Sequence, residues 1–217
     1  MKKVFIYTRF ERFCHWTQAV LIVFLAITGF EIHGTFSFFG FHNAVNFHSF
    51  AGYTLLVQII FGYFWRATTG EWKQYVPTKK NLISQIEYYL FGIFNNAQHP
   101  AKKSIKSKLN PLQRIAYLSL RLFIVPLLVI TGILYSLYHF DIDDKIIMPT
   151  GISLNTIAIL HTIGAFAIVI FLIGHLYLIT TGHTVSSNLN AMLTGYEDLE
   201  EDDDEHTELN NTIPEEK

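Results

Sequence analysis

The chain has 217 residues, half of them apolar, with 16 % charged side chains and a formal net charge of −2. Soluble domains carry about 25 % charged residues; here the charges gather at the N-terminus, in one middle segment and in an acidic tail. That pattern points to a membrane protein, with no nucleic-acid partner expected although the net charge alone says nothing on that point, and the single cysteine, Cys14, excludes an internal disulfide and any two-cysteine attachment.

The first apolar stretch, about 13–32, follows Arg12. No small-residue cleavage pattern follows it, since Phe30-Glu31-Ile32-His33 comes after Gly29, so it reads as a span rather than a signal peptide. A second stretch, about 44–65, stops at Arg66. The connection 66–114 is too polar to span. Within it Ile83, Ile86, Tyr89, Leu90 and Ile93 have helical spacing over Leu82–Phe94, which suits a helix on the membrane surface or one packed in the cytoplasm. A third stretch, about 115–138, is interrupted only by Arg121, and Pro126 is placed to kink it. The fourth, about 152–179, contains no Asp, Glu, Lys or Arg. Each is long enough to cross a hydrocarbon layer of about 30 Å at roughly 1.5 Å per residue. The expected fold is an all-α membrane protein, a four-transmembrane-helix bundle over residues 1–185, followed by an acidic tail at 186–217 expected to be disordered.

Orientation follows from the cations. Lys2, Lys3, Arg9 and Arg12 precede the first span, and Arg66, Lys73, Lys79, Lys80, Lys102, Lys103, Lys106, Lys108 and Arg114 lie between the second and third. The two connections on the other side hold only Lys145. The positive-inside rule then puts both termini and the 66–114 connection in the cytoplasm. Trp16 and Trp65 at the inner ends, with Tyr135 and Tyr138 near the outer end of span three, suit interfacial anchors.

Four histidines fall inside these spans, where buried polar groups are costly and usually functional. From the span midpoints, His15 lies roughly 11 Å and His175 roughly 14 Å toward the cytoplasm, while His48 and His161 lie roughly 10 and 7 Å toward the outside. His15 can therefore meet His175, and His48 can meet His161, but the cross-pairings are excluded by depth. His161 and His175 are fourteen residues apart, nearly four turns, so one helix presents both on one face about 21 Å apart. Two paired imidazoles suggest two bis-histidine haems, of b type because Cys14 cannot tether them. Zinc is a weaker alternative, since the two pairs are too far apart to form one four-ligand site.

Gly52, Gly164 and Gly174 lie close to these histidines and are expected to leave room for the macrocycle. Arg12 and Arg66 are candidates for the inner haem's propionates or for holding a quinone head, with topology charges as the alternative. His33, His42 and His139 at the outer mouth are expected to face water. His183 is a weaker candidate near the inner surface, while His99 and His206 belong to loop and tail.

The segments Arg9-Phe10-Glu11-Arg12-Phe13-Cys14-His15-Trp16 and Leu25-Ala26-Ile27-Thr28-Gly29-Phe30 resemble the opening of bacterial di-haem cytochrome b membrane subunits. These serve nickel–iron hydrogenases, formate dehydrogenases and thiosulfate reductases, within a cytochrome b561-like superfamily. His48 with Gly52-Tyr53, Asn110-Pro111-Leu112-Gln113-Arg114, Thr131-Gly132, and His161 with His175 extend the likeness over about residues 5 to 183. The resemblance implies electron transfer between menaquinone or ubiquinone and an extracytoplasmic redox subunit of iron–sulfur, molybdenum, hydrogenase or multihaem cytochrome type. It also implies a quinone site near His15, His175 and Arg12. A self-contained b561-type quinone-linked cytochrome and a haem-free membrane scaffold are the competing readings.

Six-coordinate iron leaves no position for a substrate, so each haem would carry one electron and do no bond chemistry. Each histidine's second nitrogen is expected to meet a carbonyl or hydroxyl.

Overall fold

The structure, a computed structural model, describes residues 2–79, 81–95, 108–140, 151–182 and 184–199. The readings made for Lys80, Lys102, Lys103, Lys106, Lys145, His99, His183, His206 and the Glu200–Glu205 run lie outside those residues, as does the His139 side chain.

In chain order the elements are β1 (Lys2–Phe5), α1 (Arg9–Ile32), α2 (Phe41–Thr69), α3 (Leu82–Leu90), α4 (Pro111–Ser119), α5 (Val125–Phe140), α6 (Leu154–Ile179), α7 (Ser187–Thr194) and β2 (Tyr196–Leu199). Four segments are long and apolar enough to cross a membrane: Arg9–Ile32, Phe41–Thr69, Pro111–Tyr138 and Leu154–Ile179. Three of them begin in the polar flank, where the chain caps its own helices. Thr8 and Glu11 form a capping box at α1, Asn110 and Gln113 form another at α4 with Pro111 in the first turn, and the Ser153 side chain accepts the Thr156 N–H at α6. Gly70 ends α2 with a φ of 77°, in the left-handed region.

The third span is continuous but not uniform. Between α4 and α5 the backbone opens into a π-helical turn over Leu120–Ile124, and Val125 N–H donates to the Leu120 carbonyl. Pro126 has no N–H to offer and its ring crowds the preceding turn, so the chain there reaches one residue further back. The expected kink takes the form of this π turn, which carries Arg121.

α1 packs mainly on α2 and α5 on α6, and the two pairs meet through α2 and α5. At that seam Tyr53 OH donates to Ser136 Oγ at 2.7 Å. At Gly164 an added Cβ would lie 2.9 Å from Leu128 Cδ2, so the α5–α6 approach requires glycine. Most of the remaining apolar surface faces outward, including Phe13, Phe50, Val57, Ile170 and Ile173. Lipid, unlike water, covers such a surface at no cost.

Residues 187–199 correct the expectation of a disordered tail from 186. They form α7 and β2, and β2 pairs antiparallel with β1, Lys2 opposite Leu199 and Phe5 opposite Tyr196. The acidic composition nearby masked the apolar spacing of Leu189, Met192 and Leu193 and the buried Ala191. Trp16 Nε1 donates to the Met192 carbonyl at 3.1 Å and Arg12 Nη1 donates to the Leu193 carbonyl, which seats α7 against the start of α1. The N-terminal strand and the returning chain therefore share one face of the bundle, the termini face; the opposite end is the distal face.

α3 lies within the expected 82–94 stretch but ends at Leu90. It contacts the start of α4, where Asn110 Nδ2 donates to Tyr89 OH at 3.1 Å, and leaves Ile83 and Leu90 exposed. Below it, Lys108 Nζ bonds Glu11 Oε1 at 2.8 Å and Glu71 Oε2 at 3.2 Å, tying three segments together. Burial alone pulls the Lys108 ammonium down, but the bonds and charges of Glu11 and Glu71 outweigh it and hold its pKa above the ordinary lysine value.

Candidate functional site

The span histidines meet in two pairs, with the depth matching read from the sequence. His48 of α2 and His161 of α6 have ring centres 6.1 Å apart, and so do His15 of α1 and His175 of α6. One helix thus faces both partners at opposite ends of the bundle.

The distal pair sits in a repeated frame. Thr28 Oγ1 donates to the Phe24 carbonyl at 2.8 Å and lies 2.9 Å from His48 Nδ1. Thr131 Oγ1 donates to the Leu127 carbonyl at 2.6 Å and lies 2.9 Å from His161 Nδ1. A hydroxyl whose proton already goes to a carbonyl can only accept from the imidazole. Both Nδ1 atoms therefore carry the proton, and both Nε2 atoms keep a free lone pair. The next residue in each frame is glycine. A Cβ on Gly29 would lie 3.3 Å from His48 Cε1, and one on Gly132 would lie 3.4 Å from His161 Cε1, so each ring rests against bare backbone.

The termini-face pair is framed differently. His175 Nδ1 is 3.1 Å from Tyr117 OH, and its ring stacks on Phe171 with 9° between the planes. His15 stands edge-on to Trp16, and its Nδ1 is buried with no hydrogen-bond partner. Beside it, Gln58 Nε2 donates to the Cys14 carbonyl at 2.7 Å.

These donors fit a metal held between two imidazoles. A metal–nitrogen bond of about 2 Å on either side, with about 1.1 Å from each nitrogen to its ring centre, separates the centres by about 6 Å. Among the described residues no group of three or more His, Cys, Asp or Glu side chains could hold a metal ion. Two protein ligands per site suit an iron whose other four positions belong to a macrocycle.

Arg12 faces α7 rather than open space, although its Nε is buried without a partner. Arg66 and Arg121 both lie over the Tyr75 ring, their guanidinium carbons 5.9 and 3.6 Å from its centre. Neither forms an ion pair with a carboxylate among the described residues; Lys108 takes both Glu11 and Glu71. His33 and His42 are exposed at the distal face, and His33 borders an open apolar groove of about 490 Å³ with Ile159, Thr162 and Phe166.

Several residues escaped the sequence reading. Thr28, Thr131 and Tyr117 meet imidazoles, the last two from span three, which itself supplies none of the paired histidines. Gly29 and Gly132 back the rings; of the glycines expected to leave room for a macrocycle, Gly174 has nothing within 4 Å and Gly52 meets only Leu25 at 4.0 Å, whereas Gly164 packs on Leu128. The missed signal was a repeat, Leu25-Ala26-Ile27-Thr28-Gly29 against Leu128-Val129-Ile130-Thr131-Gly132.

A model of the family described as prokaryotic cytochrome b561 matches residues 6–195. The chain is also 31 % identical over 202 residues to a protein of Escherichia coli (strain K12) named "Putative cytochrome YdhU", covering 90 % of this chain and 75 % of that one.

Proposed function

Because the chain belongs to the prokaryotic cytochrome b561 family, we propose that it carries electrons across a bacterial inner membrane between an isoprenoid quinone and an extracytoplasmic redox subunit. Two b haems, one between His48 and His161 and one between His15 and His175, would be its cofactors. The observation that carries this reading is the pair of 6.1 Å imidazole separations at opposite ends of one bundle.

When bound between these histidines, each haem would supply reversible one-electron transfer and no bond chemistry. The protein's part is to hold and orient. Thr28 and Thr131 fix the tautomer of the distal imidazoles and make them better donors through Nε2. Gly29 and Gly132 allow the rings to stand close to α1 and α5. The outward apolar faces keep water and competing reactants from the path between the sites.

On the termini face, Arg66 and Arg121 would receive the carboxylates of the nearer haem, since a guanidinium pairs well with a carboxylate and neither has one among the described residues. Arg12 and Trp16 border the same end, where a quinone head could be held while its tail stays in lipid. The positive-inside pattern of the cations supports a cytoplasmic position for that face, so the redox subunit would dock on the distal face.

A pyridine haemochrome assay on purified protein tests the reading. Two b haems per chain are expected, and a count of one or none would refute it. Stopped-flow reduction by a soluble quinol analogue, normalised to haem content, tests the port: Arg12→Gln and Arg66→Gln should slow it, and unchanged rates in both would move the port elsewhere.

A further inference from the structure

We infer that Trp16 orients His15 in place of the hydrogen bond its imidazole lacks, and that the last turn of α7 keeps Trp16 in position, so the C-terminal segment sets the plane of one haem ligand. This rests on the two-haem reading and adds a positioning residue to it.

The need arises at the imidazole. A ring bound to a metal through Nε2 can still turn about that bond, and a partner at Nδ1 is what ordinarily fixes it. His48, His161 and His175 each have a hydroxyl there, at 2.9, 2.9 and 3.1 Å, and His175 also stacks on Phe171. His15 Nδ1 is buried with no hydrogen-bond partner. Its ring stands edge-on to Trp16 instead, with 5.3 Å between the ring centres and 86° between the planes. That is a favourable aromatic geometry. Consecutive residues on a helix do not normally face each other, so this contact needs something outside α1 to keep the indole in place.

α7 meets that need. Trp16 Nε1 donates to the Met192 carbonyl at 3.1 Å, across 176 positions of sequence. Arg12, one turn earlier on the same face of α1, donates through Nη1 to the Leu193 carbonyl. Both carbonyls belong to the last turn of α7, where a helix leaves its acceptors without partners of its own. Two side chains of α1 thus cap the C-terminus of α7. An interfacial anchor would need only lipid and water around its indole, whereas this N–H is committed to one carbonyl.

The segment just beyond α7 is itself locked to the start of the chain. Gly195 has a φ of 90°, and its carbonyl accepts the Ile6 N–H at 2.8 Å and the Tyr7 N–H at 3.2 Å. A Cβ on Gly195 would lie 2.7 Å from both Phe5 Cε2 and the Tyr7 carbonyl oxygen, so only glycine fits. β2 then pairs with β1. The line of contacts runs unbroken from the strand pair through Gly195, α7 and Trp16 to His15.

Electron paramagnetic resonance of the ferric haems in native membranes is the test, with haem counted on each sample. The low-field g value of a bis-histidine haem follows the angle between its two imidazole planes, and the termini-face signal is the one that His15→Ala removes. Trp16→Phe loses the N–H and keeps an aromatic ring. It should shift that signal and leave the distal one unchanged, with two haems retained. Gly195→Ala touches neither Trp16 nor a haem ligand and should shift the same signal. A shift with Trp16→Phe alone, or with neither variant at two haems per chain, overturns the inference and leaves the two-haem reading intact. Gln58 Oε1 is also buried without a partner and could reach His15 through a water. A shift with Gln58→Leu in place of Trp16→Phe would therefore overturn the inference as well. Parallel loss of both signals in Gly195→Ala would mean that α7 supports the whole bundle, which is a further refutation. A wild-type count below two refutes the two-haem reading and the inference with it.

Discussion

The two ends of the bundle solve the same problem with different materials. At the distal end each imidazole is held by a threonine and a glycine that are consecutive residues inside a span, on α1 for His48 and on α5 for His161. At the termini face the surroundings come from far apart in the chain: Tyr117 from α4, Tyr75 from the segment after α2, and the α7 carbonyls that engage Arg12 and Trp16. A frame built within packed helices is set once the spans associate. A frame that is bordered by segments outside the spans, Tyr75 and α7, also depends on those segments being in place, and such segments open more easily. The distal site is thus the preorganised one and the termini-face site the adjustable one, which suits fixed transfer at one end and an exchangeable quinone at the other.

The largest effect expected from breaking this comparison is outright loss of one centre. His48→Ala or His161→Ala should abolish the same component of the reduced-minus-oxidised spectrum, and His15→Ala or His175→Ala the other. If His15 and His161 variants removed the same component, the pairing would be wrong. Next in size is removal of the threonine frame. Second-sphere partners of a metal-binding histidine typically contribute about 10–100-fold in affinity. Thr28→Val and Thr131→Val should therefore speed haem loss to an apomyoglobin acceptor by that order from the distal site. Tyr117→Phe should have less effect at the other site, where one imidazole already has no partner. Gly29→Ala and Gly132→Ala should come third, since the ring needs to give way by only a few tenths of an ångström; a shifted low-temperature α band of the distal haem, with haem content kept, is the expected sign.

The difference between the ends also explains what could be read from the chain. Four charge-poor stretches are a one-dimensional signal, and hydropathy located them because lipid imposes a single rule on every spanning segment. Depth along a helix is equally one-dimensional, so His15 could be matched with His175 and His48 with His161 before any coordinates. The threonine–glycine frames were visible as a repeat but unreadable as a role, because which face of α1 or α5 meets an imidazole depends on helix rotation. Arg121 read as an interruption of span three for a similar reason: its approach to Tyr75 involves a segment some 46 positions away, at the π turn before Pro126. The order in residues 187–199 was hidden because two four-residue strands at opposite ends of the chain have meaning only when paired.

The smallest expected effect on the haems themselves comes from the clamp outside the spans. Lys108 joins Glu11 in the first turn of α1 to Glu71 beyond α2, and Glu11 Oε2 simultaneously accepts the Thr8 N–H at 2.8 Å. Lys108→Met removes the ammonium and leaves two carboxylates facing each other, while the capping box can persist. A loss of about 1–2 kcal/mol is expected for charge-assisted bonds of this kind. Because α1 begins here and His15 lies in its second turn, thermal loss of the termini-face component should occur at lower temperature while the distal component stays unchanged. The wild type should show the same behaviour with pH. The folded-state pKa of Lys108 is raised above 10.5, so its stabilisation is complete below that value and disappears as pH rises through the higher folded value. Thermal scans that monitor each α band from neutral pH to above 10.5 test this, with Lys108→Met losing that part of the pH dependence. Equal weakening of both components would mean that the clamp supports the whole bundle rather than one end of it.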